Sequence, residues 1–334
     1  MAEDGSRGPA AHGAPRGRAL VLGGTGFVGR HVVAAFAGDG FEVTSVCRRP
    51  RGARAIAMDL AAGEPDALAR VVDDLRPQVV VNAAGAVWEV DEAQMIAGNV
   101  TLARNVVAAL SRTVHTPRLV HIGSVNEYTP QPFGRALAET TPTAPATQYG
   151  RTKLQGSEAV LAAAGAGRID AVVLRLANLA GPGSPPSSLL GRVARRLRRA
   201  DGGDAPAVVE LTALRAHRDF VDALDAAAAV RAAAAARTGP ALLNIGSGVA
   251  TDIRALVDLL VRVSEVACRV VERPRPAAEG GRGPEWLRVD IGAARRLLGW
   301  APARRLEDSL RDLWDEVRRL APDVPAPRPA RAPR

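Results

Sequence analysis

Arg18-Ala-Leu-Val-Leu-Gly-Gly-Thr-Gly-Phe-Val-Gly29 is the stretch that decides the fold of this chain. An apolar run ends on glycines at 23, 24, 26 and 29, and a helical pattern continues from Phe27 to Ala37. Gly23 and Gly26 let the backbone turn tightly and approach a pyrophosphate. Gly29 lets the helix pack on the strand, and the helix N-terminus, with Thr25, Phe27 and Val28 in its first turn, aims amide groups at the phosphates. Glycines at this spacing after a strand and before a helix predict a dinucleotide site.

Outward from that turn the same rhythm repeats. Strand-like runs at Ala19 to Leu22, Glu42 to Cys47, Ala55 to Met58, Gln78 to Asn82, Arg118 to Ile122 and Ile169 to Leu176 alternate with helical patterns. The alternation predicts an α/β fold with a doubly wound parallel sheet, a Rossmann domain over 18–176. After Ala177 the loop Gly181-Pro-Gly-Ser-Pro-Pro-Ser187 breaks the rhythm, and mixed helices and short strands follow. They read as a smaller mixed α/β substrate-binding lobe over 177–320, with segments around 216–246 returning to the Rossmann domain. Residues 1–17 and 321–334, rich in Gly, Ala, Pro and Arg, read as disordered tails.

A single lysine, Lys153, stands among 44 cationic Lys and Arg residues, four positions after Tyr149, one of two tyrosines. Every other cationic position has accepted a guanidinium, so this one marks a task for a compact ammonium. On a helix the two side chains share a face. A free phenol has a pKa of about 10, and a proton donor useful near neutrality needs roughly 4 kcal/mol of extra phenolate stabilisation. A fixed positive charge nearby has the right sign, so Lys153 is expected to lower the pKa of Tyr149.

In an NAD site the second strand ends on an acidic residue that binds the ribose hydroxyls. Here that strand ends on Cys47, followed by Arg48 and Arg49. Two guanidinium groups suit a 2′-phosphate, so NADP(H) is the preferred cofactor, with NAD(H) possible. Asp59, followed by Leu60 after the third strand, is placed to accept from the adenine amine.

Composition excludes several classes. With 47% hydrophobic residues the chain can bury a substantial core. The net charge of +9 owes much to the residues after Val317, which carry five Arg and one Asp, and 3% aromatics provide no stacking platform for nucleic acid. No apolar run is long enough to span a membrane, and residues 1 to 17 do not resemble a signal peptide; a cytoplasmic enzyme is expected. Two cysteines and five histidines lack metal-ligand spacing, so no metal is expected. Arg192, Arg195, Arg196, Arg198 and Arg199 form either a solvated helix face or a contact for an anionic substrate.

The glycine turn, Asn82-Ala-Ala-Gly85, Gly123-Ser-Val-Asn-Glu-Tyr128 and Tyr149-Gly-Arg-Thr-Lys153 together resemble the extended short-chain dehydrogenase/reductase superfamily, in its nucleotide-sugar epimerase, dehydratase and reductase group. Arg175-Leu-Ala-Asn178, Arg218-Asp-Phe-Val221, Asn244-Ile-Gly-Ser-Gly248 and Leu298-Gly-Trp-Ala-Pro302 extend the likeness over about residues 18–320. The resemblance implies Tyr149 as acid/base, Lys153 as the residue holding the nicotinamide ribose, Ser124 as the hydroxyl on the substrate oxygen and Asn99 as a helix asparagine near the site. It implies Ala83, Ala84 and Gly85 at the cofactor, and Asn178 and Arg218 on the sugar nucleotide, Arg218 at the diphosphate. Pairing of Arg218 with Asp219 or Asp222 is the alternative. Arg282-Gly-Pro-Glu285 resembles the Arg-x-x-Glu element of the GDP-4-keto-6-deoxymannose reductase branch, with Glu285 on the nucleoside ribose; a solvated loop is the alternative. Trp88, Asn126 and Glu127 line the sugar pocket by position. The likeness also implies a homodimer built from helices around Thr101 to Arg112 and Tyr149 to Ala163.

Two departures narrow the activity. Dehydratases of this group carry an acidic residue where this chain has Asn126, so the general acid that expels a hydroxyl is missing. The Arg48-Arg49 pair favours a reductase, which must take up fresh NADPH, over an NAD epimerase, which regenerates its bound cofactor. The leading expectation is an NADPH-dependent ketoreductase for a nucleotide-linked 4-keto-6-deoxysugar. The alternatives are an NAD-dependent nucleotide-sugar epimerase and a non-catalytic NADP-binding protein on the same fold.

Overall fold

The computed structural model describes residues 15–320 except 51, 53, 88, 89, 204, 240 and 275–284. Trp88 and Arg282, and both tails apart from residues 15–17, therefore lie outside the described residues. In chain order the elements are β1 (Gly17–Leu22), α1 (Phe27–Gly38), β2 (Phe41–Cys47), β3 (Ala55–Ala57), α2 (Pro65–Leu75), β4 (Val79–Asn82), α3 (Glu92–Ile96) and α4 (Leu102–Leu110). Then come β5 (Arg118–Ser124), α5 (Gln148–Gly165), β6 (Asp170–Leu176), β7 (Asn178–Ala180), α6 (Leu189–Ala200), β8 (Ala207–Thr212), β9 (His217–Asp222) and α7 (Ala223–Ala235). The chain closes with β10 (Ala241–Ile245), β11 (Ala250–Asp252), α8 (Ile253–Ser264), β12 (Cys268–Arg273), α9 (Gly292–Leu298) and α10 (Leu306–Arg319).

Seven strands form one parallel sheet in the order β10-β6-β5-β4-β1-β2-β3. Their near-continuous apolar runs, such as Leu20, Val21 and Leu22 or Val79, Val80 and Val81, are buried on both faces, as a helix-covered parallel sheet requires. One face packs Val21, Val81, Val120 and Leu174 under α1 and α7. The other packs Leu20, Val80, Leu119 and Val173 under α2, α4 and α5. The strand order reverses between β1 and β4, and in such sheets ligands bind in the crevice beyond the strand ends at this point.

A second core gathers the amphipathic α6, α8 and α10 around Leu197, Leu256, Leu260, Leu310 and Trp314. It carries a three-stranded sheet, β11-β9-β7, and the parallel pair β12-β8. Between β9 and β11 the chain goes back to the large sheet, with α7 on its face and β10 at its edge. No described helix is long and apolar enough to cross a membrane, and the described residues hold no His/Cys/Asp/Glu cluster able to bind a metal.

Candidate active site

The glycine turn sits at the strand reversal. Gly23 has φ of +79°, a conformation that excludes most side chains, and a Cβ there would stand 2.8 Å from the backbone of Ala84. A Cβ on Gly29 would land on the carbonyl oxygen of Gly23, so the bare glycine lets α1 press against the turn. Gly23 N–H donates to Val46 at 2.8 Å and Gly26 N–H to Gly23 at 2.9 Å. Thr25 and Gly26 are exposed at the N-terminus of α1, while Phe27 and Val28 are half-buried. The result is a cradle of backbone amides that only glycines leave open, and it fits a pyrophosphate.

Arg48 and Arg49 are exposed just past β2, and neither pairs with an acidic group among the described residues. Asp59 is exposed too; its Oδ1 accepts from Ala61 N at 2.9 Å and Ala62 N at 3.1 Å. Leu60 packs into the core beside it.

Tyr149, Lys153 and Ser124 converge where α5 meets the end of β5. Thr147 caps α5, accepting from Gly150 N at 3.1 Å, and sets Tyr149 in the first turn with Lys153 one turn on. Lys153 is 6% exposed and donates to the carbonyl of Ile122 at 2.5 Å. Ser124 Oγ accepts from Asn126 N and from Asn126 Nδ2, both at 3.2 Å, so its own proton remains for another acceptor. A Cβ on Gly85 would stand 3.0 Å from Asn99 Oδ1 and 4.0 Å from Lys153 Nζ. The loop after β4 thus joins the cluster of Ser124, Tyr149 and Lys153 to the glycine turn through Ala84.

The electrostatics correct one expectation. Burial pushes the Tyr149 phenol up to about 12; the hydrogen bond with Ser124 pulls the other way and the negative charge of Glu127 adds to the rise. Lys153 is not among the groups that move it. Burial lowers the pKa of Lys153 itself, against the attraction of Glu127. The ammonium is anchored on the β5 carbonyl, and the phenol is neutral at pH 7.

Asn99 lies in a π-helical turn, Ala97–Thr101, between α3 and α4. Its amide is spent on structure: Oδ1 accepts from Ala86 N at 2.9 Å, and Nδ2 donates to Ala86 O at 2.8 Å and to Thr152 Oγ1 at 3.0 Å. It ties the loop after β4 to α5 and positions the site with its side chain fully engaged. Glu127, placed by position in the sugar pocket, is instead fully buried. Its Oε1 accepts from Ser124 N at 2.7 Å and Ser157 Oγ at 2.9 Å, and its Oε2 from Arg175 Nε at 2.7 Å. The single helical turn Val125–Glu127 that follows β5 leaves Asn126 at the cleft and Glu127 behind it.

That cleft is narrow and runs past Asn126 and Thr147 between Val125, Tyr128, Leu137, Trp286 and Leu287. Asn178 is half-buried and donates to Asp219 O at 3.0 Å. Arg218 does not pair with its acidic neighbours in sequence. Asp219 accepts from Ser247 N and Oγ, Gly248 N and Val289 N, while Asp222 caps α7 at Leu224 N and pairs with Arg304 at 3.1 Å. Arg218 donates to its neighbour's carbonyl, His217 O, at 3.3 Å; burial lowers its pKa to about 10, with exposed Glu285 opposing. A guanidinium desolvated to this degree is suited to an anionic ligand. The arginines of α6 face away from the buried Leu190, Val193 and Leu197; Arg192, Arg195, Arg196 and Arg199 line a separate groove along β8.

Two groups escaped the sequence reading. His121 on β5 is 2% exposed, with Nδ1 3.1 Å from Asn82 Nδ2 and Nε2 buried without a partner. Burial first, and then the charge of Lys153, hold its pKa well below the usual imidazole range. Ser157, one turn beyond Lys153, is fully buried against Glu127. A small polar residue four after the lysine was the available signal for it.

Comparison with known proteins places the chain in a family and supports its fold. A family model described as the NAD dependent epimerase/dehydratase family matches residues 19–246. A dTDP-6-deoxy-L-talose 4-dehydrogenase (NAD(P)(+)) of Kitasatospora kifunensis is 43% identical over 311 residues, covering 91% of this chain and 96% of the relative. A GDP-6-deoxy-D-mannose reductase of Pseudomonas aeruginosa is 27% identical, covering 88% of this chain and 95% of the relative. Among solved structures, RMD from Pseudomonas aeruginosa complexed with NADPH superposes with a TM-score of 0.77 at 24% identity, over 90% of this chain and 99% of that one.

Proposed function

Because the chain belongs to the NAD dependent epimerase/dehydratase family, we propose that it is an NADPH-dependent ketoreductase that reduces the 4-keto group of a nucleotide-linked 6-deoxysugar. The observation that carries this reading is the meeting of Ser124, Tyr149 and Lys153 beside the loop that abuts the glycine turn. The reduced nicotinamide, when bound, supplies a hydride to the carbonyl carbon. As negative charge grows on the carbonyl oxygen, Ser124 turns its hydroxyl proton from Tyr149 to that oxygen as a hydrogen bond and Tyr149 gives up its phenolic proton. A phenol at about 12 is fully protonated at neutral pH, which suits the reductive direction. Lys153 keeps two N–H donors beyond the one spent on Ile122, and these suit ribose hydroxyls. Gly23, Gly26 and the first turn of α1 suit the pyrophosphate, and Arg48 with Arg49 the 2′-phosphate. Arg218 suits the substrate diphosphate, with Glu285 on the nucleoside side.

The sugar class and position 4 draw support from the name of the Kitasatospora relative, a 4-dehydrogenase of a dTDP-linked 6-deoxyhexose. That name admits either nicotinamide; the exposed arginines past β2 are the ground for preferring NADP(H). Net consumption of NADPH with the 4-keto form of dTDP-6-deoxy-L-talose tests the proposal. Absence of consumption with that compound and with the 4-keto form of GDP-6-deoxy-D-mannose would overturn it. Epimerisation with retained NAD is the second reading, favoured by likeness to a UDP-glucose 4-epimerase of Azospirillum brasilense, 26% identical over 92% of this chain. A homodimer formed through α4 and α5 is part of the proposal, and light scattering tests it.

A further inference from the structure

Behind the proposed site lies a run of buried polar groups that no step of the chemistry above uses. Glu127 is 0% exposed, Ser157 0%, Arg175 2%, Tyr128 3% and Asn244 0%. Arg175 Nε donates to Glu127 Oε2 at 2.7 Å, and its guanidinium carbon stands 4.2 Å over the centre of the Tyr128 ring. Tyr128 donates to Asn244 Oδ1 at 2.8 Å, and Asn244 Nδ2 donates to Leu137 O at 3.0 Å. Burying an ion pair is costly unless every lone pair is satisfied, and replacing it with apolar side chains is often neutral or stabilising. Stability alone is therefore a weak reason for placing a carboxylate here.

Its position suggests another reason. Lys153 and Ser157 lie one turn apart on the same face of α5, and both reach the end of β5. Lys153 takes the carbonyl of Ile122, Glu127 takes the amide of Ser124, and Gly123 lies between them. A Cβ on Gly123 would stand 2.8 Å from Glu127 Oε1 and 3.0 Å from Ser157 Oγ, so the carboxylate occupies the space a side chain would fill. We propose that Glu127 is the positioning residue of this site: through the Ser124 amide it sets the catalytic hydroxyl, and its buried negative charge is the counter-charge of the Lys153 ammonium. The inference rests on Tyr149 and Lys153 being the reacting pair proposed above.

The charged and titratable groups around the pair come from every neighbouring element. They are His121 on β5, Tyr149 on α5, Arg175 on β6 and Tyr128 after the short turn. Of these, Arg175 acts directly on Glu127 and is not among the groups that move Lys153 or Tyr149. Glu127 raises the pKa of both Lys153 and Tyr149. Removing its charge lowers both, and reduction needs both protonated. The alkaline limb of the rate profile must then move to lower pH.

The test is the pH profile of kcat for NADPH-dependent reduction of the 4-keto form of dTDP-6-deoxy-L-talose, in wild type, Glu127→Gln and Ser157→Ala. The expected result is an alkaline limb shifted to lower pH by about one unit or more in Glu127→Gln, with no shift in Ser157→Ala, which keeps the charge. Should Glu127→Gln fail to fold, the neutral double variant Glu127→Gln, Arg175→Met is predicted to shift the limb in the same direction. A uniform loss of kcat at every pH, with the limb unmoved in whichever variant folds, would overturn the proposal and leave Glu127 a packing residue. Tyr149→Phe, run alongside, separates the two claims. Its full activity would remove the reacting pair and this inference with it, whereas its inactivity beside an unmoved limb would remove the inference alone.

Discussion

The Lys153 ammonium donates to the Ile122 carbonyl at 2.5 Å, so the chain's one lysine is anchored on the sheet. Sequence spacing paired it with Tyr149 as the charge that would lower the phenol's pKa; the packing gives that phenol a pKa of about 12, set first by burial. Proton donation in the reductive direction needs a loaded phenol, and this arrangement keeps it loaded.

Replacing that phenol therefore removes the donor and little else. Tyr149→Phe is expected to lower kcat for reduction by about a hundredfold or more while leaving NADPH affinity nearly unchanged, since the loss of a general acid costs at least this much. Steady-state rates together with a fluorescence titration of NADPH check both halves.

The arginines past β2 make a different kind of claim, about which cofactor enters. Arg48→Ala with Arg49→Ala is predicted to weaken NADPH by about tenfold or more and NADH much less, because a 2′-phosphate is the only group that differs between them. Equal weakening of the two in calorimetric titrations would show that neither side chain reads the phosphate.

Arg218 is desolvated without an acidic neighbour in hydrogen-bond contact among the described residues. Arg218→Ala should raise KM for the nucleotide-linked substrate by about tenfold or more with a smaller change in kcat, the signature of lost binding to a part of the substrate remote from the reaction. A kcat effect larger than the KM effect would place Arg218 nearer the chemistry than this account does.

His121 gives a stability prediction whose sign is fixed by burial. Its folded pKa lies well below the unfolded value near 6.5, so the protein is held neutral at this residue and unfolding takes up a proton in acid. The stability is fully present above about pH 6.5 and declines as pH falls below it, by up to about 1.4 kcal/mol per pH unit from this group. Urea unfolding between pH 7.5 and 5 should show that decline in wild type and a shallower one in His121→Asn.

What the sequence could and could not reveal follows from the range of the interactions. The six parallel strands from β1 to β6 were readable because each is a short apolar run bounded by turn residues, and the glycine turn because Gly23 and Gly29 answer to contacts within or next to their own unit. Glu127 was misread because its partner Arg175 is 48 residues away, brought opposite Gly123 by the β5–β6 register that no local pattern encodes. Arg218 and Asp219 look like a pair in sequence, yet neighbours on a strand point to opposite faces. Asp219 accordingly turns inward to brace Ser247 and Gly248 while Arg218 turns away. The site of Lys153 was legible in its spacing, and its anchor on Ile122 was not, since a carbonyl carries no sequence signature.

The most direct measurement uses NADPH carrying two deuterium atoms at C4 of its dihydropyridine ring, the 4-keto form of dTDP-6-deoxy-L-talose and mass spectrometry of the sugar nucleotide produced. The account predicts a 4-hydroxy product carrying one deuterium, formed in step with NADP+ and about a hundredfold or more slower in Tyr149→Phe. Recovery of the unreduced 4-keto sugar nucleotide, free of deuterium and with the NADPH untouched, would contradict it.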